Sequence, residues 1–275
     1  MLQSNSIYNT DCFDSLLKVD NNSVDMVLFS PPYDSIRDYN KDWELDLHKL
    51  GSECFRILKP SRNCCVIIQD QIKHFKKSCT TYKTIIDWTE NIGFGLFENC
   101  IYERSGSPGA WWNTRFRVDN EFILMFTKPD DSKKENQKFK PGVFSKEHLK
   151  VPANWGGDNM SWAKNHAVRT TSGELKEEKN SKNPDMKCRG TIWDYTKIRS
   201  LENMKGLPKN KHPATFPLKI AEDLILTFTD KGELVLDPLC GSGTTCVAAK
   251  NNERDYIGID IGKDYCDIAE EWLKL

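Results

Sequence analysis

The ten cysteines, at 12, 54, 64, 65, 79, 100, 188, 240, 246 and 266, contain no CxxC pair, and no Cys/His spacing suits zinc. That removes the small zinc-stabilised folds and leaves no metal site to predict. Several of these cysteines sit inside apolar runs, where a free thiol behaves as a small buried hydrophobe, and a reducing compartment is the expectation. No stretch approaches the roughly 20 apolar residues of a membrane span, and "MLQSNSIYNTDCFD" has neither the basic flank nor the apolar centre of a signal peptide. A soluble, cytoplasmic protein is expected. Net charge is also nearly absent, at −1 over 275 residues, which argues against a uniformly basic nucleic-acid binder.

That average conceals an asymmetry. Residues 131 to 211 hold 18 Lys and Arg against 10 Asp and Glu, a net of +8, and the remainder has a net of −9. The same segment is poor in apolar runs, as in "KEEKNSKNPDMKCRG". A solvated surface insertion would account for it, but an acidic core carrying a basic insert also suits a polyanionic partner.

Apolar, β-branched or aromatic runs that predict strands are "SIYNTD", "VDMVLFS", "CCVIIQD", "GLFENCIYER", "EFILMFTK", "GELVLDP" and "RDYIGID". Helical patterns fall in "DLHKLGSECFRIL", "YKTIIDWTENI", "PLKIAEDLILTFT" and "TTCVAAKNN", and in the final "KDYCDIAEEWLKL", where Tyr265, Ile268, Ala269 and Trp272 share one face. Seven strands with interleaved helices predict an α/β fold with a mostly parallel sheet covered by helices on both faces. Ligands of such sheets gather beyond the carboxyl ends of the strands.

Two segments carry candidate chemistry at such ends. In "LVLDPLCGSGTTCVAAK", residues 234 to 250, a strand ends in Asp237, Gly241 and Gly243 permit a tight turn, and a helix begins near Thr244 with free N–H groups. The following strand ends in Asp260, placed to accept from a ribose. A nicotinamide site would need a third glycine where Cys246 stands, and a merely tight turn would leave the two strand-terminal aspartates unexplained. In "SPPYDSIRDY", residues 30 to 39, a buried strand stops at Ser30, Pro31 and Pro32 and then presents Tyr33. In isolation that would read as a polyproline turn with an exposed tyrosine.

Together these motifs resemble the S-adenosylmethionine-dependent amino-methyltransferases that act on DNA. "DPLCGSGTT" resembles their cofactor motif, including Ser242, and "SPPY" resembles their catalytic motif in its cytosine-N4 form. "KHPATFP", residues 211 to 217, is similar to the landmark that covers the methionine end of the cofactor, through His212, Ala214 and Thr215. "IYNTDCFDSL" is similar to the start of the permuted β group, with Asp11 ending a strand beside the adenosine. The resemblance implies a Rossmann-like methyltransferase with circularly permuted motifs, in three parts. Residues 1–130 would form the catalytic half, 131–200 a variable basic target-recognition insertion, and 201–275 the cofactor half. Cys240 departs from the bulkier residue usual at its position.

The implied reaction is methyl transfer to an exocyclic amine, with no metal. That amine is a poor nucleophile because its lone pair is delocalised into the ring. The Ser30 hydroxyl and Pro31 carbonyl would hold its protons, and Pro31 offers no competing N–H. The paired prolines would fix both acceptors, and Tyr33 would stack on a base extruded from duplex DNA. No Pro-Cys dipeptide occurs, which removes the usual nucleophile of cytosine-C5 methylation. Adenine-N6 enzymes of the group usually carry Asp in place of Ser30 and a Gln-Lys pair in place of Thr215 and Phe216, so cytosine is expected and adenine is the alternative. A DNA-binding module that modifies nothing is the alternative of another class.

Double-stranded DNA is the implied partner, a cognate restriction endonuclease would act separately, and the setting would be prokaryotic or phage. Monomer and homodimer stay open. Within the insert, Asn154, Trp155, Asn165, Arg169 and Arg189 suit reading bases or filling the gap that a flipped base leaves. Trp111 and Trp112, in a Gly- and Pro-containing loop, would stack on DNA, shield the pocket or be buried under the insert.

Overall fold

The computed structural model describes residues 2–32, 45–103, 116, 118–145, 150–152, 166–169, 172, 175–178, 186–194 and 216–275. Of the expected site residues, Tyr33, His212, Ala214 and Thr215 lie outside this set, as do Trp111, Trp112, Asn154, Trp155 and Asn165.

The larger of two compact units comprises 1–145 and 191–275. Its eight-stranded sheet has the order β1 (Ser6–Asn9), β14 (Asp255–Asp260), β13 (Leu234–Asp237), β2 (Val24–Phe29), β3 (Leu58–Ile68), β7 (Asn120–Thr127), β6 (Gly95–Glu103) and β12 (Ile192–Asp194). Every pairing is parallel except those of β7, which runs antiparallel to both neighbours. All seven expected strands are present. The eighth, β12, comes from the charged segment, where Trp193 buries itself against the core.

β2 shows why the centre of the sheet reads as a continuous apolar run: all six of its residues are buried, as a parallel strand covered on both faces requires. Met26 and Leu28 face one apolar layer, with residues of α4 (Leu218–Phe228), α5 (Thr244–Asn251) and α6 (Lys263–Leu273). Val27 and Phe29 face the other, with α1 (Cys12–Leu16) and α2 (Leu47–Ile57), and with Trp88 just after α3 (Thr80–Asp87). A register shift between Val24 and Met26 returns Val24 to the second layer. The exception to the apolar run is Asp25, only 3 % exposed. Its carboxylate accepts the Leu234 N–H (3.0 Å) and pairs with Lys59 (2.7 Å) and Arg62 (3.3 Å), which fastens the start of β13 to β2.

Buried Lys128 performs a similar task at the end of α2, donating to the carbonyls of Phe55 (2.6 Å) and Leu58 (2.8 Å) and to Asn22 Oδ1 (2.7 Å). It thereby satisfies carbonyls that a helix end leaves without partners.

The second unit, Lys146–Gly190, contains two antiparallel pairs: β8 (Lys150–Pro152) with β11 (Met186–Cys188), and β9 (His166–Arg169) with β10 (Leu175–Glu178). Its limits lie inside the expected insertion of 131–200, because the chain on either side joins the larger unit. Phe144, for example, packs edge-on to Phe97 at 5.4 Å, and the Gly142 N–H donates to the Ser61 carbonyl at 2.7 Å.

Candidate active site

From the central pair β13 and β2, the chain crosses over in opposite directions. β13 leads through α5 to β14 on one side, and β2 leads through α2 to β3 on the other. This is a topological switch point, where a crevice opens beyond the carboxyl ends of the strands. The two candidate motifs hang from these two strands. Val235 pairs with Met26 and Leu236 with Val27, so Asp237 stands level with Leu28, and Ser30 and Pro31 leave the sheet just beyond. Roughly 200 residues of sequence separate the motifs, and the fold makes them neighbours.

Backbone and carboxylate hydrogen bonds hold the turn after β13. The Leu239 N–H donates to Asp237 Oδ1 (2.9 Å), and the Cys240 N–H donates to the Ile259 carbonyl (2.8 Å). Asp260 braces two turns at once, accepting the Gly241 N–H on Oδ2 (2.9 Å) and the Gly262 N–H on Oδ1 (2.7 Å). Each of its oxygens keeps a lone pair for a ligand. Gly243 has φ +88°, and a Cβ there would lie 2.7 Å from that of Ala269 in α6, so this position admits glycine alone. Gly243 caps α5 with no side-chain hydrogen bond, so the cap supplies no side-chain acceptor to the helix's first N–H groups.

Ser242 is 2 % exposed, yet its hydroxyl has no partner among the described residues. A buried orphan at a strand end leaves a hydrogen-bonding position that a polar ligand can fill. Charge points the same way. Burial pushes the Asp237 carboxyl up to about 7, with the nearby Asp260 adding to the rise and bonds from Thr245 and Leu239 opposing it. Burial raises Asp260 as well. Two desolvated carboxylates at one sheet edge favour a ligand that brings positive charge.

Thr245 and Asn9 also build the site, and neither stood out from the sequence. The Thr245 hydroxyl donates to the Leu28 carbonyl (3.3 Å), which ties the helix after the glycine turn to the strand that precedes SPPY. Asn9 Nδ2 donates to the carbonyls of Asp260 (3.1 Å) and Ile261 (2.9 Å), which fixes the exit of β14. Thr244 opens α5 as expected. Asp11, past the carboxyl end of β1, caps α1 through the Phe13 N–H (2.8 Å) and stands at the same edge as Asp260, whose strand partner is Asn9. Cys240 is buried with its thiol against Cys246. Among the described residues no cluster of His, Cys, Asp and Glu could hold a metal, and no helix is long and apolar enough to cross a membrane.

Residues 24–271 match the DNA methylase family N6_N4_Mtase. The chain belongs to this family. The family match opens at β2 and closes within α6, so it spans both motifs in their permuted order. Among curated DNA methylases, the chain is 28 % identical to the orphan methyltransferase M.BamHII of Bacillus amyloliquefaciens, over 92 % of this chain and 89 % of that one. It is also 28 % identical to the type II methyltransferase M.BglII of Bacillus subtilis, over 98 % and 69 %. Its fold resembles that of PvuII DNA methyltransferase, described as cytosine-N4-specific, with a TM-score of 0.69 at 19 % identity over 99 % of this chain and 87 % of that one. It also resembles M1.HpyAVI in complex with SAM, with a TM-score of 0.59 at 21 % identity over 97 % and 98 %.

Proposed function

We propose that this DNA methylase transfers a methyl group from S-adenosylmethionine to the exocyclic N4 amine of a cytosine turned out of duplex DNA, as the modification arm of a restriction-modification system. The observation that carries the reading is the juxtaposition at the switch point: the Ser30–Pro31 acceptors end the strand next to the one that ends in the Asp237 turn. S-adenosylmethionine suits this edge: its sulfonium and ammonium match the desolvated Asp237 carboxyl, and its hydroxyls match Asp260 and the orphan Ser242 hydroxyl. It supplies an electrophilic methyl group.

The chain's own residues do the rest. Gly241, Ser242, Gly243 and Thr244 offer the backbone and hydroxyl cradle, Asp260 and Asp11 the acceptors for the adenosine half, and His212, Ala214 and Thr215 a cover for the methionine half. Ser30 Oγ and the Pro31 carbonyl accept the two protons of the amine, which frees the nitrogen lone pair to attack. The new C–N bond forms as the S–CH₃ bond breaks, its electron pair stays on sulfur, and one amine proton leaves to solvent. Tyr33 stacks on the extruded base. Residues 131–200 recognise the target sequence.

The test is digestion of duplex DNA to nucleosides after incubation with the protein and S-adenosylmethionine, followed by mass spectrometry. N4-methylcytosine is expected. N6-methyladenine would reassign the base, and retained DNA binding with no methylated nucleoside would make the protein a binding module.

A further inference from the structure

The site described so far uses the ends of β13, β14, β1 and β2. β3 leaves the sheet at this same edge, since Phe29 pairs with Val66 in parallel and β3 ends at Ile68. The chain then forms a small hairpin, β4 (Ile72–Lys73) and β5 (Lys76–Lys77), that neither the sheet nor the proposed chemistry requires.

Three properties of this hairpin are unfavourable for folding alone. Lys73 is directly opposite Lys76, so two like charges share one face, a destabilising arrangement in a β-ladder. No acidic residue occurs between Asp70 and Asp87, and among the described residues no carboxylate pairs with Lys73, Lys76 or Lys77, all of them exposed. At the tip, His74 (φ 50°) and Phe75 (φ 62°) both occupy the left-handed region of a two-residue turn, where Asn-Gly is the usual solution. Phe75 is 62 % exposed.

Hydrogen bonds nevertheless tie the hairpin down at its base. Buried Asp70 accepts the Thr81 N–H on Oδ1 (2.9 Å), and the Ser78 N–H donates to the Gln71 carbonyl (2.9 Å), which closes the loop at the start of α3. The core outside 131–211 is acidic, with a net of −9, so this uncompensated cluster of lysines is a local exception. A projection that carries three exposed lysines and a phenylalanine with most of its surface exposed has the chemistry of a duplex grip, with cations for phosphates and an aromatic group for sugars and base edges.

We propose that the 72–77 hairpin is a second DNA contact, separate from the 131–200 segment, which clamps the duplex on the β3 side of the extruded base. Lys73, Lys76 and Lys77 neutralise phosphates and Phe75 packs against the groove. This rests on the reading that duplex DNA is the substrate.

The experiment measures binding of a short fluorescein-labelled duplex of arbitrary sequence across a salt series, with S-adenosylmethionine affinity and DNA methylation measured alongside. It compares wild type, the triple variant K73Q/K76Q/K77Q, F75A, and K231Q as a control, an exposed lysine just before β13 at the opposite edge of the sheet. Each phosphate contact contributes about 0.9 to the slope of log affinity against log salt, so the triple variant should be shallower by up to about 2.7. It should retain wild-type cofactor affinity and kcat and show a raised KM for DNA. F75A should bind several-fold more weakly at every salt concentration with the slope unchanged, and K231Q should match wild type. A triple variant with the wild-type slope overturns the proposal and leaves DNA methylation by the wild type standing. A wild-type protein that neither binds nor methylates duplex DNA overturns both.

Discussion

Gly243→Ala should destabilise the protein by about 2–5 kcal/mol, and the structure separates that figure into two parts. At φ +88° an L-residue occupies the left-handed region, at a cost of roughly 1–2 kcal/mol. The added methyl would also lie 2.7 Å from the Ala269 Cβ and 3.2 Å from its Cα. Ala269 is fully buried in α6, so the helix itself must shift, and overpacking of this kind costs about 1–3 kcal/mol. Gly232→Ala isolates the first part, because Gly232 also has positive φ (+77°) but nothing lies within 4 Å of its would-be Cβ. Entropy lost from the unfolded chain is common to both variants and cancels in their difference. Urea unfolding can be followed by tryptophan fluorescence, with buried Trp272 one turn from Ala269 as a local reporter. Gly243→Ala should be the less stable of the two by about 1–3 kcal/mol. Adding Ala269→Gly should recover much of that difference as a coupling energy. Two single variants within about 0.5 kcal/mol of each other, or a cycle without coupling, would refute the reasoning that this turn is packed against α6.

Ser30→Ala should slow methyl transfer by ~10²-fold or more with cofactor affinity unchanged, as single-turnover kinetics and calorimetry can establish; near-normal turnover removes Ser30 from the chemistry. For Asp237, the folded carboxyl titrates at about 7 against an ordinary 3.8, so between these values the folded chain holds a proton that the unfolded chain has lost. Its contribution to stability is therefore complete below about pH 4 and is lost as pH rises to 7, by up to roughly 4 kcal/mol, and Asp237→Asn should flatten that part of the stability profile. Lys128→Met should lower stability by about 2–4 kcal/mol in urea melts, because the carbonyls of Phe55 and Leu58 lose a buried charged donor.

Local pattern made most of the sheet legible. "VDMVLF" is buried throughout and "LVLD" nearly so, as short apolar runs bounded by turn residues lead one to expect of strands covered on both faces. Among the described residues eight cysteines are buried free thiols, and for those inside apolar runs, such as Cys64 and Cys65 in β3, the sequence implied it. Elements that depend on distant partners were not legible. β12 is three residues long and becomes a strand only because Ile192 finds Ile101 of β6 beside it. α1 is five residues long and exists because Asp11 caps it. The β4–β5 turn escaped notice because His74 and Phe75 replace the glycine that usually announces it.

The site divides the same way. The positions of Asp237, Gly241, Gly243 and Asp260 follow from strand ends and turn chemistry. That Thr245 reaches the Leu28 carbonyl, or that Asp260 already braces two turns, follows only from the order of strands in the sheet.

The pairing of β2 with β13 also shapes how the chain is made. Asp25 must wait for the Leu234 N–H, 209 residues further along. At typical rates of translation that interval is on the order of 10–40 s, during which the central strand of the nascent chain has one edge open. An apolar edge of this kind is an aggregation hazard, and a carboxylate set inside the run, as Asp25 is, would act in that interval as a charge that discourages association with other chains. The residue that later fastens β13 to β2 would thus guard the same edge before β13 has been synthesised.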